Sequence, residues 1–210
     1  LIGAVARALN PGCKVDTALV LQGEQGIGKS SFFDVLGGEF FDDSMGNGTD
    51  KDDLLTLHRS WIQEWGELDR IFGKKAVGEV KQFLSKKQDT FREPYARKTE
   101  RFNRHSIIVG SVNDAQFLND ATGDRRFWVV PVEVDEIDIP ALKQERNGIW
   151  AAAVKAYKEG HNWWLTKEEQ LESSLNNQRF QIKDEWESVI DEYLEGRNLI
   201  TISELMTQAL

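Results

Sequence analysis

At 210 residues the chain has room for one domain with a full core and a small appendage, and it shows no low-complexity segment or internal repeat. Its single cysteine, Cys13, excludes a disulfide framework and a cysteine-rich zinc site, and is expected to be a buried structural thiol. With net charge −9, no apolar run near the ~20 residues of a membrane span, no signal peptide and no initiator Met, the chain is expected to be an excised domain from the cytoplasm.

In chain order, residues 1–15 have the pattern of a helix end closed by Asn10-Pro11-Gly12. Ala18-Leu19-Val20-Leu21 marks a strand over about 17–22. It runs into Gly23-Glu24-Gln25-Gly26-Ile27-Gly28-Lys29-Ser30, which fits G-x-x-x-x-G-K-[ST], and Ser31 to Leu36 continues as a helix. Glycines in such a loop turn backbone N–H groups toward phosphate oxygens at a helix N-terminus. Residues 23–31 are therefore the expected nucleotide contacts, with Lys29 on the β- and γ-phosphates and the Ser30 hydroxyl on Mg²⁺.

Asp42 to Asp53, acidic and glycine-containing, is expected as a surface loop. Ser60 to Trp65 reads as a second strand ending at Gly66-Glu67-Leu68-Asp69. Val77, Val80, Phe83 and Leu84 recur at helical spacing within 74–87. Thr90 to Arg104 is basic, with Phe91, Tyr95 and Phe102 interleaved, and suits a hairpin or extended loop. The apolar run 106–111 predicts a buried central strand that ends at Val112-Asn113-Asp114. Gly123-Asp124-Arg125-Arg126 introduces a further strand over 127–132. Beyond Pro140 the pattern is helical over 149–159 and roughly 167–195, and Leu199 to Leu205 resembles a short strand feeding a last helix. The division expected is a core over 1–135 and a helical region over 136–210, the end of which suits the start of a truncated winged-helix-like unit.

Triphosphate hydrolysis needs a carboxylate near the metal and a group that positions the attacking water. Glu67 sits just past a strand's carboxyl end, where open α/β sheets place their ligands. It is the expected metal-proximal carboxylate, supported by Asp69 or by Glu64 within the sheet's side-chain layer. Asn113 ends another strand, as a neutral hydrogen-bonding group for the γ-phosphate or the water, or else as a turn residue. Arg125 and Arg126 are placed to neutralise charge on a transferred phosphoryl group, in their own subunit or a neighbour's.

Charge is unevenly spread. Between Arg70 and Arg104 eleven Lys/Arg face four acids, a local balance of +7, so the rest must carry −16 for the whole to reach −9. An acidic protein can still focus positive potential where a polyanion passes, although a solvated lysine-rich helix face has the same composition.

The succession GEQGIGKSSFF, WIQEWGELD, REPYARKTERFNRHSIIVGSVND and TGDRRFWVVPV resembles the virulence-associated protein E family over roughly residues 17–132. Those proteins are encoded on phages, plasmids and genomic islands and look like relatives of superfamily 3 helicases and of phage primase-helicases. The resemblance implies an α/β P-loop NTPase core, AAA+-like and of the superfamily 3 type, with a helical C-terminal extension. It makes GEQGIGKS the Walker A motif, Glu67 the Walker B acid and Asn113 the motif C sensor. It makes Arg126, beside Arg125, an arginine finger entering a neighbouring subunit's site. Residues 92–104 fall where such rings carry a DNA-contacting hairpin, with Arg97, Lys98 and Arg101 as candidate contacts. Trp150, Trp163, Trp164 and Trp186 match nothing diagnostic and read as packing residues first, base-stacking groups second.

The expected function is thus an ATP- and Mg²⁺-dependent DNA helicase or translocase of a mobile element, in the cytoplasm of a bacterium or phage-infected host. It would act on single-stranded or forked DNA as a homo-oligomeric, hexameric ring in the full-length protein, away from membranes. A regulatory ATPase acting on a protein partner is the main rival, and a small-molecule kinase a more distant one.

Overall fold

Seven short strands and six helices follow from the apolar pattern in a computed structural model that describes residues 1–46, 50–68, 77–118 and 124–182, with isolated positions beyond. The strands are β1 (Ala18–Gln22), β2 (Phe41–Asp42), β3 (Ile62–Trp65), β4 (Gln88–Phe91), β5 (Glu100–Asn103), β6 (Ile107–Val112) and β7 (Phe127–Pro131). The helices are α1 (Ile2–Leu9), α2 (Lys29–Gly37), α3 (Lys51–Leu57), α4 (Val77–Ser85), α5 (Ile139–Lys158) and α6 (Lys167–Asn177). Five strands form a parallel sheet in the order β2-β3-β6-β1-β7, and β4 and β5 form a separate antiparallel hairpin.

Side-chain alternation along these strands feeds two apolar layers. Leu21, Ile62 and Val109 meet Phe33 and Leu36 of α2, with Leu142, Ile149 and Trp150 of α5 packed against them. Ala18, Val20, Trp65, Ile108 and Val129 face the opposite way, toward Val80, Phe83 and Leu84 of α4, and toward Phe117 and Phe180. The fold is α/β, with helices on both faces of a parallel sheet. β6 lies between β3 and β1, so the carboxyl ends of all three reach one edge of the sheet side by side.

Most expected elements are present, and the departures have physical reasons. The stretch expected as a loop over 42–53 runs into α3, whose three apolar positions, Leu54, Leu55 and Leu57, include the fully buried Leu57. The long helix expected over 167–195 ends at Asn177 and passes into a 3₁₀ turn, Gln178–Phe180. Tertiary contacts end it: Phe180 is buried, and its carbonyl accepts from the backbone N–H groups of Phe117 and Leu118, both at 2.9 Å. Asn176 and Asn177 donate to the Val129 and Phe127 carbonyls of β7 at 3.1 and 2.8 Å. The start of α6 was readable in sequence, since Thr166 and Glu169 close a reciprocal capping box. Cys13 is half-buried rather than buried, and burial pushes its thiol up. The strand and helix expected beyond 199 fall largely outside the described residues, as does Asp69.

Candidate functional site

The loop after β1 is pinned at both flanks before any side chain is considered. Gly23 donates to the Val112 carbonyl at 3.2 Å, Val132 donates to Gln22 at 2.7 Å, and Ile137 donates to Ile27 at 2.9 Å. Two glycines are required by this path. A Cβ at Gly23 would lie 2.9 Å from the Ile27 side chain and 3.0 Å from the Val132 carbonyl, and Gly28 opens α2 at φ 96. No side chain caps the N-terminus of α2. Its first backbone N–H groups have no intrahelical partner, which makes this end of the helix receptive to an anion.

Lys29, the first residue of α2, is 6% exposed, and its ammonium is fully engaged. It donates to the carbonyls of Gly23 and Glu24 at 2.8 and 2.6 Å and to Asn113 Oδ1 at 2.9 Å. An ammonium has three donors, so a phosphate oxygen gains Lys29 only by displacing one of these acceptors. Asn113 is the exposed one among side chains and sits at the end of β6. Burial lowers the affinity of Lys29 for its proton, and the nearby Glu64 carboxylate opposes that.

The expected carboxylate was Glu67, with Glu64 in support, but it is Glu64 that meets Ser30. The Ser30 hydroxyl donates to Glu64 Oε1 at 2.8 Å, and Glu64 is 1% exposed. β3 turns Glu64 onto the α2 face together with Ile62, two residues earlier, which is why a charged residue lies inside the sheet layer. Burial pushes this carboxyl up, with Asp43 adding to the rise, while the hydroxyls of Ser111 and Ser30 and the charge of Lys29 oppose it. Its Oε2 has no hydrogen-bond partner, so the Ser111 hydroxyl acts from nearby without a formed bond to that oxygen. A buried carboxylate oxygen left open beside a serine hydroxyl is a donor pair suited to a hard cation such as Mg²⁺. Among the described residues no group of three or more His, Cys, Asp or Glu could hold a metal unaided.

Glu67 follows at φ 53, a left-handed conformation that non-glycine residues rarely adopt. With Gly66, Ser111 and Asn113 it faces the loop residues Gln25, Gly26, Gly28, Lys29, Ser30 and Ser31 across a cavity of about 330 Å³. Arg125 and Arg126 lie elsewhere. They precede β7, whose first residue Phe127 pairs with Ala18 at the start of β1, while the loop leaves the other end of β1. Five strand residues separate the two ends by roughly 17 Å.

The basic segment is a hairpin whose base is locked. Arg104 is 3% exposed and forms a two-pronged pair with Asp89, Nε to Oδ2 at 2.5 Å and Nη2 to Oδ1 at 2.9 Å, while Nη1 donates to the Phe83 carbonyl at 2.6 Å. His58 Nε2 lies 3.1 Å from Asp89 Oδ2, and Phe91 stacks on Phe102 at 4.4 Å between ring centres. Arg104, one of the eleven basic residues in the segment, is therefore structural. Arg97, Lys98 and Arg101 are exposed, and Tyr95 at the tip is fully exposed at φ 66.

The model of the virulence-associated protein E-like domain matches residues 1–182. The chain belongs to that family. The match extends the resemblance read from the motifs at both ends, taking in α1 and the helices after β7. Two solved structures share the fold. The apo structure of the NrS-1 C-terminal region (305–718) is 14% identical, with TM-score 0.57, over 98% of this chain and 56% of that one. The A form apo structure of the same region is 12% identical, with TM-score 0.53, over 97% and 56%. This virulence-associated protein E-like chain thus spans little more than half the length of the structures it matches. No curated protein matches it. No helix among the described residues is long and apolar enough to cross a membrane.

Glu64 in this virulence-associated protein E-like domain yields a stability prediction. Its raised folded pKa means that the folded chain favours the protonated acid. The resulting stabilisation is complete below the ordinary value of 4.5 and lost as pH rises through the raised value. Glu64→Gln removes the charge and keeps an acceptor for Ser30. At neutral pH the empty variant should gain on the order of 1 kcal/mol, or about 2–4 °C in Tm at this chain length, by calorimetry. The gain should vanish near pH 4.

Proposed function

We propose that this chain is the ATP-hydrolysing motor of a mobile-element replication protein, a P-loop ATPase that moves single-stranded or forked DNA. The observation that carries the reading is the convergence of Lys29, Ser30 and Asn113, which follow two parallel strands, on one glycine-lined cavity, with the buried Glu64 of a third strand bonded to Ser30 behind it. The loop amides and Lys29 hold the phosphates, and Lys29 leaves the Asn113 oxygen as they enter. Ser30 and Glu64 are the residues that would hold Mg²⁺, which would supply charge neutralisation at the phosphates. Glu67, exposed on the cavity rim, is the general base that orients and deprotonates the attacking water. Asn113, released from Lys29, reports the γ-phosphate to β6, which begins four residues after the DNA hairpin ends.

The place of Arg125 and Arg126 supports a ring. They stand a full strand length from their own loop, so an arginine acting on the phosphates comes from a neighbouring subunit. A hexamer closes such head-to-tail contacts. Arg97, Lys98 and Arg101 grip backbone phosphates, on a hairpin whose locked base transmits force to the sheet.

The test is ATP turnover and DNA binding by the full-length protein. The triple variant Arg97→Ala, Lys98→Ala, Arg101→Ala should keep basal ATP hydrolysis. Its slope of log affinity against log salt on single strands should fall by about 2. An unchanged slope together with normal ATP hydrolysis would sink the DNA reading and favour an ATPase that remodels a protein partner.

A further inference from the structure

A second cavity, of about 420 Å³, is remote from Lys29 and lies beneath the opposite edge of the sheet. Its wall combines Arg125 and Arg126 with Lys14, and three indoles, Trp128, Trp163 and Trp164. Asp16 also lines it but already pairs with Lys14 at 3.3 Å. Among the described residues neither arginine has a carboxylate partner. Two adjacent guanidiniums in a concavity, with no carboxylate partner among the described residues, favour an anion.

The aromatic side is equally specific. Trp163 is pinned by its Nε1–H to the Lys14 carbonyl at 2.8 Å and packs on Tyr157 at 5.8 Å. It braces Trp164 edge-on, with ring centres 4.9 Å apart at 81°. Trp164 is thereby presented with 53% of its surface open, beside the cations. Two N–H groups of the same wall, Arg126 Nε and Trp128 Nε1, are buried without an acceptor. Buried donors of that kind are rare in a finished protein interior, where a water, an ion or a ligand group meets them. A simple anion has no use for the indoles, and an apolar ligand would strand the guanidiniums. A planar ring carrying phosphate uses both, and the volume suits one.

We infer that this cavity is a second nucleotide site, taking a nucleoside phosphate with its base on Trp164 and its phosphates on Arg125 and Arg126. The nucleotide is either free in solution or carried on the Lys29 loop of a second copy. Only the second source rests on the ring reading above.

The experiment uses ADP bearing a fluorophore excited by tryptophan emission, added to the full chain with Lys29→Ala, which disables the first site. Energy transfer that saturates in this variant alone identifies free nucleotide as the ligand. Transfer on mixing with a Trp164→Ala chain, whose own loop is intact, that exceeds the signal of that chain alone identifies nucleotide carried by a second copy. In either case Trp164→Ala or Arg125→Ala added to the Lys29→Ala chain should weaken the signal at least about tenfold, and Trp164→Phe should largely keep it. No transfer in either arm overturns the inference. So does pyrophosphate competing as well as ADP, which would leave the indoles without a role, or a single-stranded oligonucleotide competing better than ADP, which would make the cavity a strand site. The Lys29 reading fails separately, if Arg125→Ala in the otherwise unaltered chain leaves no nucleotide bound.

Discussion

Lys29→Ala should lower ATP turnover by about 10²–10³-fold, a loss typical of removing one group that stabilises transition-state charge. The ammonium lies 6% exposed among two loop carbonyls and the Asn113 side chain, poised where the γ-phosphate would enter. Arginine should not rescue the loss, because a planar guanidinium cannot reproduce the three-way hold of an ammonium in this space. Asn113→Ala should cost less, since it removes a neutral amide and leaves the charge in place. If Arg126 acts on a neighbour's nucleotide, mixing the inactive Lys29→Ala and Arg126→Ala chains should restore part of the turnover, because some interfaces then carry both groups intact. Full activity of Lys29→Ala would remove the phosphate-binding reading altogether.

Asp89→Ala should cost about 3–5 kcal/mol, the largest stability loss expected of any single replacement here. It leaves the guanidinium of Arg104 buried with its charge unpaired and removes the partner of His58. At roughly 2–4 °C per kcal/mol for this size, thermal melting should fall by about 6–20 °C. Asp89→Asn tests the charge apart from the shape and should lie between. Burial by itself would raise the Asp89 carboxyl, but its bonds to His58 and Arg104 and their charges hold it far below the usual carboxylate range. With its folded value depressed, its stabilisation is complete above the ordinary value of 3.8 and disappears only as pH falls through the folded value. The wild-type chain should therefore keep the hairpin base locked down to strongly acid pH. A melting temperature of Asp89→Ala equal to wild type at neutral pH would show that the pair contributes nothing net.

The strands were readable because parallel strands covered on both faces are near-continuous apolar runs: 18–21 and 106–111 stand out in any register. α3 was hidden because a short helix over a polar surface has only Leu54, Leu55 and Leu57 to show for itself, among acids that also suit a loop. The end of α6 was hidden because nothing in residues 167–195 breaks a helical pattern, whereas the buried Phe180 and its bonds to Phe117 and Leu118 do. The tryptophans divide in the same way. Trp150 packs, donating to the Leu36 carbonyl at 3.0 Å and meeting Trp61, while Trp164 faces a cavity beside two arginines.

The sequence by itself determined the parts: a glycine loop that only one spacing of residues produces, carboxylates and an amide after apolar runs, paired arginines before another, and a basic stretch between. These are local features, set by which residue types a turn, a strand end or a helix start accepts. Tertiary structure decided which parts meet. Inserting β6 between β1 and β3 brings Asn113 to Lys29, and strand alternation turns Glu64 onto the α2 face, where Ser30 reaches it. The same parallel register carries Arg125 and Arg126 to the far end of β1. Sequence spacing could not distinguish these outcomes, because in a parallel sheet neighbours are set by crossover order, and that order is chosen by the packing of both faces at once.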